Sequence, residues 1–252
     1  MILTLEGRRA LVTGGSRGIG RAVCLLFGRL GARVAVGYAR DRAAADDTVE
    51  AVRREGAEAV AVQADLSDPS AGPRLVDAAA GRLVGLDTVV VNHGIWKRAS
   101  IDTMSLEQWR ETLATNLDGA YSVCSAAARI LVPQRSGTMV LVASTAGQRG
   151  EAHHAHYAAS KGALLAFTKS LAGELAPHHI RVNAIAPGWV MTDMSRPALE
   201  GDGAAGATDR IPLGRPGTPE EIAGPVAFLA SDLSSYLYGE VLCVNGGAVM
   251  AG

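Results

Sequence analysis

The sequence is poor in aromatic residues, in cysteine and in unbalanced charge. Aromatic side chains make up 4% of its 252 residues, and its formal net charge is -1. Because no long block of like charge occurs, we expect neither nucleic acid nor an anionic membrane as a main partner. The three cysteines, Cys24, Cys124 and Cys243, are odd in number, far apart and set in apolar runs. They indicate small buried side chains in a reducing compartment rather than a disulfide framework.

Long uninterrupted apolar stretches are also missing. No run is long enough to cross a bilayer, and residues 1–6 lack the charged and apolar regions of a signal peptide. We therefore expect a soluble, cytoplasmic protein. The hydrophobic content of 48% is sufficient for a large core, and no segment is rich enough in Gly, Ser or Pro to mark a linker. The sequence thus predicts one domain over residues 1–252.

Apolar runs typical of strands alternate with segments typical of helices along the whole chain. The predicted strands are Arg9–Thr13, Arg33–Tyr38, Ala59–Gln63, Asp87–Asn92, Thr138–Ala143, Ile180–Ile185 and Glu240–Val244. The predicted helices are Ala22–Leu30, Arg42–Glu55, Pro69–Val84, Leu106–Leu131, Tyr157–Ala176 and Pro219–Ala230. This alternation predicts the α/β class, with a single doubly wound parallel sheet and helices on both faces.

Glycines separate the first predicted strand from the first predicted helix. The segment Thr13–Gly20 carries Gly14, Gly18 and Gly20, and glycine permits both a tight turn and a close approach of backbone to a ligand. The following helix offers free N–H groups and a positive dipole end. A glycine triplet alone is weak evidence, but its place between a strand and a helix predicts a phosphate-binding turn.

Other distinctive residues also follow predicted strands. They are Asp65 after the third strand, Asn92–Gly94 after the fourth, Ser144 after the fifth and Pro187–Gly188 after the sixth. Because doubly wound sheets bind ligands outside the carboxyl ends of their strands, these residues should lie in one crevice. Asn116 lies inside a predicted helix, where a buried amide is costly unless it is hydrogen-bonded. It indicates either a local polar role or a satisfied structural amide.

Tyr157 and Lys161 are four residues apart on one predicted helix, so they project from the same face. A free tyrosine titrates near ~10, and an ammonium held close favours the phenolate and lowers that pKa. Such a pair could donate a proton to a carbonyl oxygen or take one from an alcohol. The spacing alone arises by chance in many proteins, but the motifs upstream favour catalysis over a half-buried aromatic beside a solvated lysine.

Together these motifs resemble the short-chain dehydrogenase/reductase family over essentially the whole chain. The resemblance rests on Thr13-Gly-x-x-x-Gly18-x-Gly20, Asn116-Leu-x-Gly119, Ser144, Tyr157-x-x-x-Lys161 and Pro187-Gly188. Within the family, the stretches that resemble bacterial 3-oxoacyl-carrier-protein reductases are Ile211–Arg215, Pro219–Ala223 and Asn245–Gly247. Where the family usually has Asn-Asn-Ala-Gly, this chain has Val91-Asn92-His93-Gly94. Since that motif mostly braces the central sheet, the change leaves the expected catalysis intact.

The resemblance implies a Rossmann fold, a nicotinamide dinucleotide cofactor and a role for each catalytic residue. Tyr157 would be the proton donor or acceptor, and Lys161 would lower its pKa and hold the nicotinamide ribose. Ser144 would bond the substrate oxygen, and Asn116 would hold a water that relays protons. Hydride would pass between the nicotinamide and the substrate carbon. The implied cofactor-binding residues are Gly14, Ser16, Arg17, Gly18, Ile19, Gly20, Tyr38, Arg40, Asp65, Leu66, Asn92, Gly94, Tyr157, Lys161, Pro187, Gly188, Val190 and Thr192.

The tip of the second predicted strand bears on the choice of cofactor. NAD-specific sites usually place an acid there to bind the ribose hydroxyls, but here Tyr38 occupies that position and Asp41 lies beyond it. Arg17 and Arg40 could instead clamp a 2′-phosphate; the plain alternative is that both arginines are solvated. We therefore expect NADP(H) to be favoured, with NAD(H) as the alternative.

Histidines crowd the approach to Tyr157. His153, His154 and His156 could bind a metal, but Glu151 is the single nearby carboxylate and the expected chemistry needs no metal. We expect no metal site. Lining of the substrate cleft is the favoured interpretation of these histidines, with a plain surface loop as the alternative.

The leading functional hypothesis is an NADPH-dependent oxidoreductase that reduces a ketone to a secondary alcohol, a 3-oxoacyl thioester being one candidate. The alternatives are an NAD-dependent dehydrogenase of secondary alcohols or sugars, and a non-catalytic dinucleotide sensor. Arg129, Arg135 and Arg149 could form the basic patch that an acidic acyl carrier protein requires. Trp189 should border the nicotinamide pocket, unless it simply packs in the core. Together with the histidines it would suit a compact cyclic or aryl ketone at least as well as a flexible acyl chain.

Two further expectations concern the outer parts of the protein. The glycine-containing stretch Glu200–Asp209 interrupts the β/α rhythm, and the segment near 190–212 is interpreted as a mobile substrate loop or as a plain surface loop. The family resemblance implies a homotetramer. The apolar segment Ile222–Val244 would suit burial against a neighbouring subunit.

Overall fold

A seven-stranded parallel sheet forms the centre of the protein. The computed structural model describes residues 2–200, 206 and 208–250. The strands are β1 Arg9–Val12, β2 Arg33–Tyr38, β3 Ala59–Gln63, β4 Thr88–Val91, β5 Gly137–Val142, β6 Ile180–Pro187 and β7 Val241–Val244. Their order in the sheet is β3-β2-β1-β4-β5-β6-β7, and every pair is parallel. The predicted doubly wound α/β sheet is confirmed.

Helices connect the strands and cover both faces of the sheet. They are α1 Gly18–Arg29, α2 Arg42–Arg54, α3 Ala71–Leu83, α4 Leu106–Leu113, α5 Gly119–Gln134, α6 Thr145–Arg149, α7 Ala155–Leu175, α8 Arg196–Glu200 and α9 Pro219–Ala230. The sequence did not predict α6 and α8, which are short and lack a periodic apolar face. Among these described residues, no helix has the combination of length and apolarity that a membrane crossing requires.

Two hydrophobic clusters lie on opposite faces of the sheet because successive strand residues point to opposite sides. Leu11 of β1 belongs to one cluster, with Leu75 and Leu164 from helices. Its neighbour Val12 belongs to the other, with Phe27 of α1. The β-branched residues Thr88–Val91 are all buried, as predicted for a strand covered on both faces. The loops at the carboxyl ends of these rigid strands therefore have a fixed support.

The predicted helix Leu106–Leu131 is interrupted by one wide turn. A π-helical segment, Ala114–Asp118, separates α4 from α5. At its centre Asn116 is fully buried, and its side-chain amide forms hydrogen bonds with the backbone of Ile95 in the loop that follows β4. An inserted residue of this kind often marks a functional site, and apolar periodicity alone does not reveal it.

The apolar residues of α9 pack within the chain. Ile222 and Val226 belong to the same cluster as Phe27 of α1, so the apolarity of this helix does not by itself call for a neighbouring subunit. Beyond α9, Tyr236 is 98% exposed and Tyr238 is 39% exposed beside the edge strand β7.

In the predicted substrate loop, Val190 pairs with Gly217, whereas residues 201–205 and 207 lie outside the described residues.

Candidate active site

A cleft of about 660 Å³ opens at the carboxyl ends of the strands, where the sheet order reverses between β1 and β4. It contains most of the residues that the sequence singled out. The predicted residues that line it are Gly14, Ser16, Arg17, Gly18, Ile19, Tyr38, Arg40, Asp65, Leu66, Asn92, Gly94, Ser144, Tyr157, Lys161, Pro187, Gly188, Val190 and Thr192. Gly20 and Asn116 are not among the lining residues. Gly20 packs against Gly14, and Asn116 is hydrogen-bonded to Ile95.

The glycine turn is packed too closely for side chains. A Cβ atom on Gly20 would overlap the carbonyl oxygen of Gly14, and Gly14 itself has φ +62. The amide of Asn92 holds the turn against β4 by donating to the carbonyl oxygens of Thr13 and Gly14, at 3.1 Å each. Gly20 thus serves close packing rather than direct contact.

The N-terminus of α1 is free to bind an anion. Its first turn contains no acidic residue, and Arg17 at the N-cap makes no side-chain capping bond. The unpaired N–H groups and the positive dipole end therefore face the cleft without internal competition. The chemistry of this helix end fits the pyrophosphate of a dinucleotide.

The tip of β2 presents cations and no free acid. Tyr38 is buried at the position where an acid was considered, and the carboxylate of Asp41 accepts from the N–H of Ala44 at 3.0 Å as the N-cap of α2. The guanidinium of Arg40 is 88% exposed and lies 3.7 Å from the carboxylate of Asp65. Arg17 is also exposed on the same wall of the cleft. Both guanidinium groups are thus open to solvent, and an incoming phosphate would compete with Asp65 for Arg40.

Tyr157 and Lys161 share the face of α7 that forms the floor of the cleft. The amine of Lys161 lies 5.8 Å from the centre of the Tyr157 ring and donates to the carbonyl oxygen of Val142 at 2.8 Å. Burial lowers the pKa of Lys161 to about 8. Burial also raises the pKa of Tyr157 to about 12, although a hydrogen bond with Ser144 opposes this rise.

Lys161 was expected to lower the pKa of Tyr157, but in this structure burial outweighs that effect and the pKa is raised. The amine lies over the ring rather than beside the hydroxyl, and desolvation disfavours both charged forms more than their mutual attraction favours them. The carboxylate of Glu151 adds to the rise in the Tyr157 pKa. Tyr157 is thus held as a neutral phenol, which is a proton donor.

Ser144 and Asn116 support this floor from two sides. Ser144 caps α6, its hydroxyl accepting from the N–H of Ala146 at 3.1 Å. The amide of Asn116 accepts from the N–H of Ile95 at 2.8 Å and donates to the carbonyl oxygen of Ile95 at 3.0 Å. It also donates to the hydroxyl of Ser160 at 3.1 Å. Both amide donors of Asn116 are thus used, so its side chain braces the loop beside Tyr157.

His93 is a cleft residue to which the sequence gave no role. Its Nδ1 lies 2.8 Å from the hydroxyl of Thr13, and its ring packs against the backbone of α5. Burial, reinforced by the nearby positive charge of Lys161, lowers the pKa of His93 to about 3. The imidazole is therefore neutral and joins Asn92 in bracing β4 to the glycine turn.

Four further side chains line the cleft, and the sequence analysis predicted two of them. Trp189 and Arg149 were expected there, whereas Trp96 and Glu151 were given no place in the cleft. A signal was available, since Trp96 follows the Asn92–Gly94 motif and Glu151 lies between Ser144 and Tyr157 in the chain. Loops carry no periodicity, however, so the sequence did not show which side chains turn inward.

The three histidines do not line the cleft, contrary to the favoured interpretation. His154 is buried beneath Trp96, with ring centroids 4.3 Å apart and planes 5° from parallel. His153 faces Ser100, with 3.0 Å between Nδ1 and the hydroxyl. His156 is fully buried, and burial lowers its pKa. In the described part of the chain, no three His, Cys, Asp or Glu residues are grouped to hold a metal.

The expected arginine patch is not assembled either. Arg149 lies at the cleft, but Arg135 precedes β5 and therefore lies at the opposite edge of the sheet, where it donates to the carbonyl oxygen of Pro177. Arg129 lies on α5, outside the cleft lining. The chain thus offers one of the three arginines at the cleft mouth.

Comparisons with known proteins agree with this fold. A family model described as "Enoyl-(Acyl carrier protein) reductase" matches residues 14–249. A 3-oxoacyl-[acyl-carrier-protein] reductase from Synechocystis sp. is 38% identical over 98% of each chain. An L-rhamnose 1-dehydrogenase (NAD(P)(+)) from Azotobacter vinelandii is 40% identical over 97% of this chain and 98% of that protein.

A solved structure extends the likeness to three dimensions. The short-chain dehydrogenase from Burkholderia cenocepacia J2315 in complex with NADP has a TM-score of 0.92 and 38% identity, over 97% of this chain and 98% of that one. Sequence and fold thus agree along nearly the full length. The chain belongs to the short-chain dehydrogenase/reductase family of NAD(P)-dependent oxidoreductases.

Proposed function

We propose that this protein reduces a ketone to a secondary alcohol with NADPH, and that Tyr157 is the general acid. The observation that carries the proposal is the placement of the Tyr157 phenol beside Ser144 and Lys161 at the cleft floor. A phenol that is neutral at the working pH can donate its proton to a carbonyl oxygen.

The side chains divide the work around the carbonyl oxygen of the substrate. The residues of the nucleotide half would hold NADPH, which when bound would supply the hydride for the carbonyl carbon. The hydroxyls of Ser144 and Tyr157 hold the oxygen, and Tyr157 transfers its proton to that oxygen as the new C–H bond forms. Lys161, with a pKa of about 8, is mostly cationic at neutral pH and stabilises the negative charge that develops on Tyr157. Asn116 keeps the Ile95 loop in position.

The nucleotide half of the cleft supports NADP(H) over NAD(H). Arg17 and Arg40 are exposed cations on the wall where the adenosine ribose of a bound dinucleotide would lie. Asp41 is already engaged as a helix cap and does not offer its carboxylate freely to ribose hydroxyls. A 2′-phosphate would therefore meet two guanidinium groups and no uncompensated acid.

The thioester role receives less support than ketone reduction in general. One relative is a 3-oxoacyl-[acyl-carrier-protein] reductase and another is a sugar dehydrogenase, at similar identity. The basic patch expected for carrier-protein docking is reduced to Arg149 at the cleft. The aromatic corner of Trp96 and Trp189 favours a compact ketone.

A carbonyl panel tests the proposal. Purified protein is mixed with NADPH or NADH and with acetoacetyl thioesters, aryl ketones and cyclic ketones, and the absorbance of the reduced nicotinamide is followed. We expect turnover of at least one ketone class with NADPH. Absence of turnover with every ketone would overturn the proposed reaction, and a thioester preference that salt weakens would establish carrier-protein delivery instead of a compact ketone.

A further inference from the structure

The substrate end of the cleft contains a rigid aromatic corner. Trp96 stacks on His154 and meets Trp189 edge to face, with ring centroids 5.8 Å apart and planes at 89°. Both indoles line the cleft beyond Tyr157. Their mutual packing fixes their positions before a substrate arrives, and proton transfer from Tyr157 requires neither of them. We therefore examine this corner as a binding surface for the substrate.

A carboxylate is held inside the corner. The indole N–H of Trp96 donates to Oε2 of Glu151 at 3.3 Å, and the side chain of Glu151 is only 17% exposed. Oε1 of Glu151 lies 3.7 Å from Nδ1 of His154, and among the described residues no Lys or Arg pairs with it. Two carboxylate oxygens have about four acceptor sites, and Glu151 uses one of them for Trp96, so it retains acceptor capacity where it lines the cleft.

The charges of this region cancel. Lys97 is neutralised by Glu111, at 2.6 Å between amine and carboxylate. Apart from that pair, the lining carries equal numbers of the two signs, the cations being Arg17, Arg40, Arg149 and Lys161 and the carboxylates Asp41, Asp65, Glu151 and Asp193. A pocket without net charge selects neither an anion nor a cation by field alone. It selects a neutral molecule that donates hydrogen bonds to the carboxylate.

An acyl chain does not meet this requirement. Its methylene groups donate no hydrogen bond, so they would leave the carboxylate of Glu151 desolvated and without new partners, which is costly. Hydroxyl groups on a compact carbon skeleton would satisfy it. The C–H face of such a skeleton would meanwhile bury apolar surface against the indoles of Trp96 and Trp189.

We propose that Glu151, held by Trp96, is the residue that determines substrate specificity, and that the substrate is a compact, uncharged ketone carrying hydroxyl groups. The inference rests on the proposed ketone reduction and specifies its substrate class. Glu151 accepts hydrogen bonds from substrate hydroxyls, while Trp96 and Trp189 contact the carbon skeleton. Glu151 and Tyr157 line the same cleft, so a hydroxyl bound to Glu151 shares that cleft with the reacting carbonyl.

A pair of ring ketones that differ only in hydroxylation provides the test. The kcat/KM of the wild type and of Glu151→Gln is measured with NADPH for cyclohexanone, for a pentahydroxycyclohexanone and for the cationic 4-aminocyclohexanone. We expect the wild type to prefer the hydroxylated ring. Glu151→Gln should lower the ratio of kcat/KM for that ring to kcat/KM for cyclohexanone by about 10- to 100-fold, the range for loss of a charged hydrogen-bond acceptor.

The ratio of kcat/KM for the hydroxylated ring to kcat/KM for cyclohexanone does not depend on the fraction of folded enzyme. Partial misfolding of a variant therefore leaves this ratio unchanged. Glu107→Gln, which changes an acid in the first turn of α4 outside the cleft lining, is the matched control and should keep the wild-type ratio. Equal loss on both neutral rings, or a preference for the amino ketone, would overturn the role of Glu151 while ketone reduction stands. Failure of the wild type to reduce any of the three rings or an acetoacetyl thioester would refute the proposed reaction itself.

Discussion

Lys161 places a buried amine between the backbone of β5 and the ring of Tyr157. Its lowered pKa, about 8, means that the folded state disfavours the ammonium form relative to an unfolded chain. That penalty is fully present below pH 8 and fades as the pH rises towards the unfolded value near ~10.4. The cation useful to Tyr157 is therefore retained at a cost in stability.

Lys161→Met should abolish turnover and should gain stability relative to the wild type as the pH falls from 10 to 7. The carbonyl oxygen of Val142 loses its partner at both pH values, so this loss contributes equally to the Tm difference between variant and wild type at pH 10 and at pH 7. The change of that difference with pH therefore reports the cost of burying the Lys161 charge. A difference of about 1 kcal/mol corresponds to about 2–4 °C in a protein of this size. Thermal unfolding of both proteins at the two pH values is the measurement, and a Tm difference independent of pH would contradict the penalty.

Arg40→Asp should shift the cofactor preference from NADPH towards NADH. The substitution removes an exposed cation from the cleft wall and places a carboxylate where ribose hydroxyls can donate to it. We expect the ratio of the two dissociation constants to change by at least about tenfold, equal to ~1.4 kcal/mol. Titration of tryptophan fluorescence with each nucleotide measures it.

Arg42→Asp is the control for this experiment. Arg42 is a neighbouring exposed arginine that pairs with Asp46 on α2 and does not line the cleft. Its substitution should leave the nucleotide preference as in the wild type. If the wild type itself bound NADH more tightly than NADPH, the assignment of Arg17 and Arg40 to a 2′-phosphate would be wrong.

Site residues that directly follow the ends of strands could be located from the sequence, whereas site residues within loops could not. The glycine turn, Ser144 and the Tyr157–Lys161 pair could be placed in one crevice because parallel strands present their carboxyl ends together. Glu151 and Trp96 could not, since loop side chains follow no period. The raised pKa of Tyr157 also escaped prediction, because spacing shows that two groups are close but not how deeply they are buried.

Among the elements, α6 and α7 show how tightly the catalytic helix is supported. The two helices cross at Gly147, where a Cβ atom would come within 2.5 Å of the carbonyl carbon of Lys161 and 2.6 Å of the amide nitrogen of Gly162. Backbone lies against backbone at this crossing, so neither side can yield by rotating a side chain. The position of Lys161 thus depends on the absence of a side chain at residue 147.

Gly147→Ala should lower both stability and activity. Pushing α6 away from α7 strains packed backbone, and overpacking of this kind costs about 1–3 kcal/mol. Gly173→Ala on α7 is the matched control, because its Cβ would meet nothing within 4 Å and replacing a helical glycine stabilises by about 0.4–1 kcal/mol. Urea unfolding together with kcat/KM separates the two variants. Equal stability of both would mean that the helix crossing is not tight.

The elements themselves were predicted well where they repeat and poorly where they do not. All seven strands were expected from apolar runs, with ends shifted by one or two residues. The π turn at Asn116 was expected as plain helix, because one inserted residue barely disturbs the apolar period over a long segment. The short helix α6 was missed since it has five residues and no apolar stripe.

For the molecule as a whole, we propose a homotetramer in solution. The apolar residues of α9 pack against α1, so this helix no longer supports the proposal. The edge strand β7 and the exposed Tyr236 and Tyr238 still present surface that a second copy could cover. Light scattering at micromolar concentration should give about four times the chain mass of 26.0 kDa. A mass of one chain would overturn the proposal.

Tyr157→Phe tests the central role of the phenol most directly. The ring remains and only the proton-transferring hydroxyl is lost, so kcat/KM for a reduced ketone should fall by about 10²–10⁴-fold, while the dissociation constant for NADPH stays nearly unchanged. Tyr121→Phe, at an exposed tyrosine of α5, should behave as the wild type. Near-normal ketone reduction by Tyr157→Phe, with NADPH bound normally, would contradict the assignment of Tyr157 as the general acid.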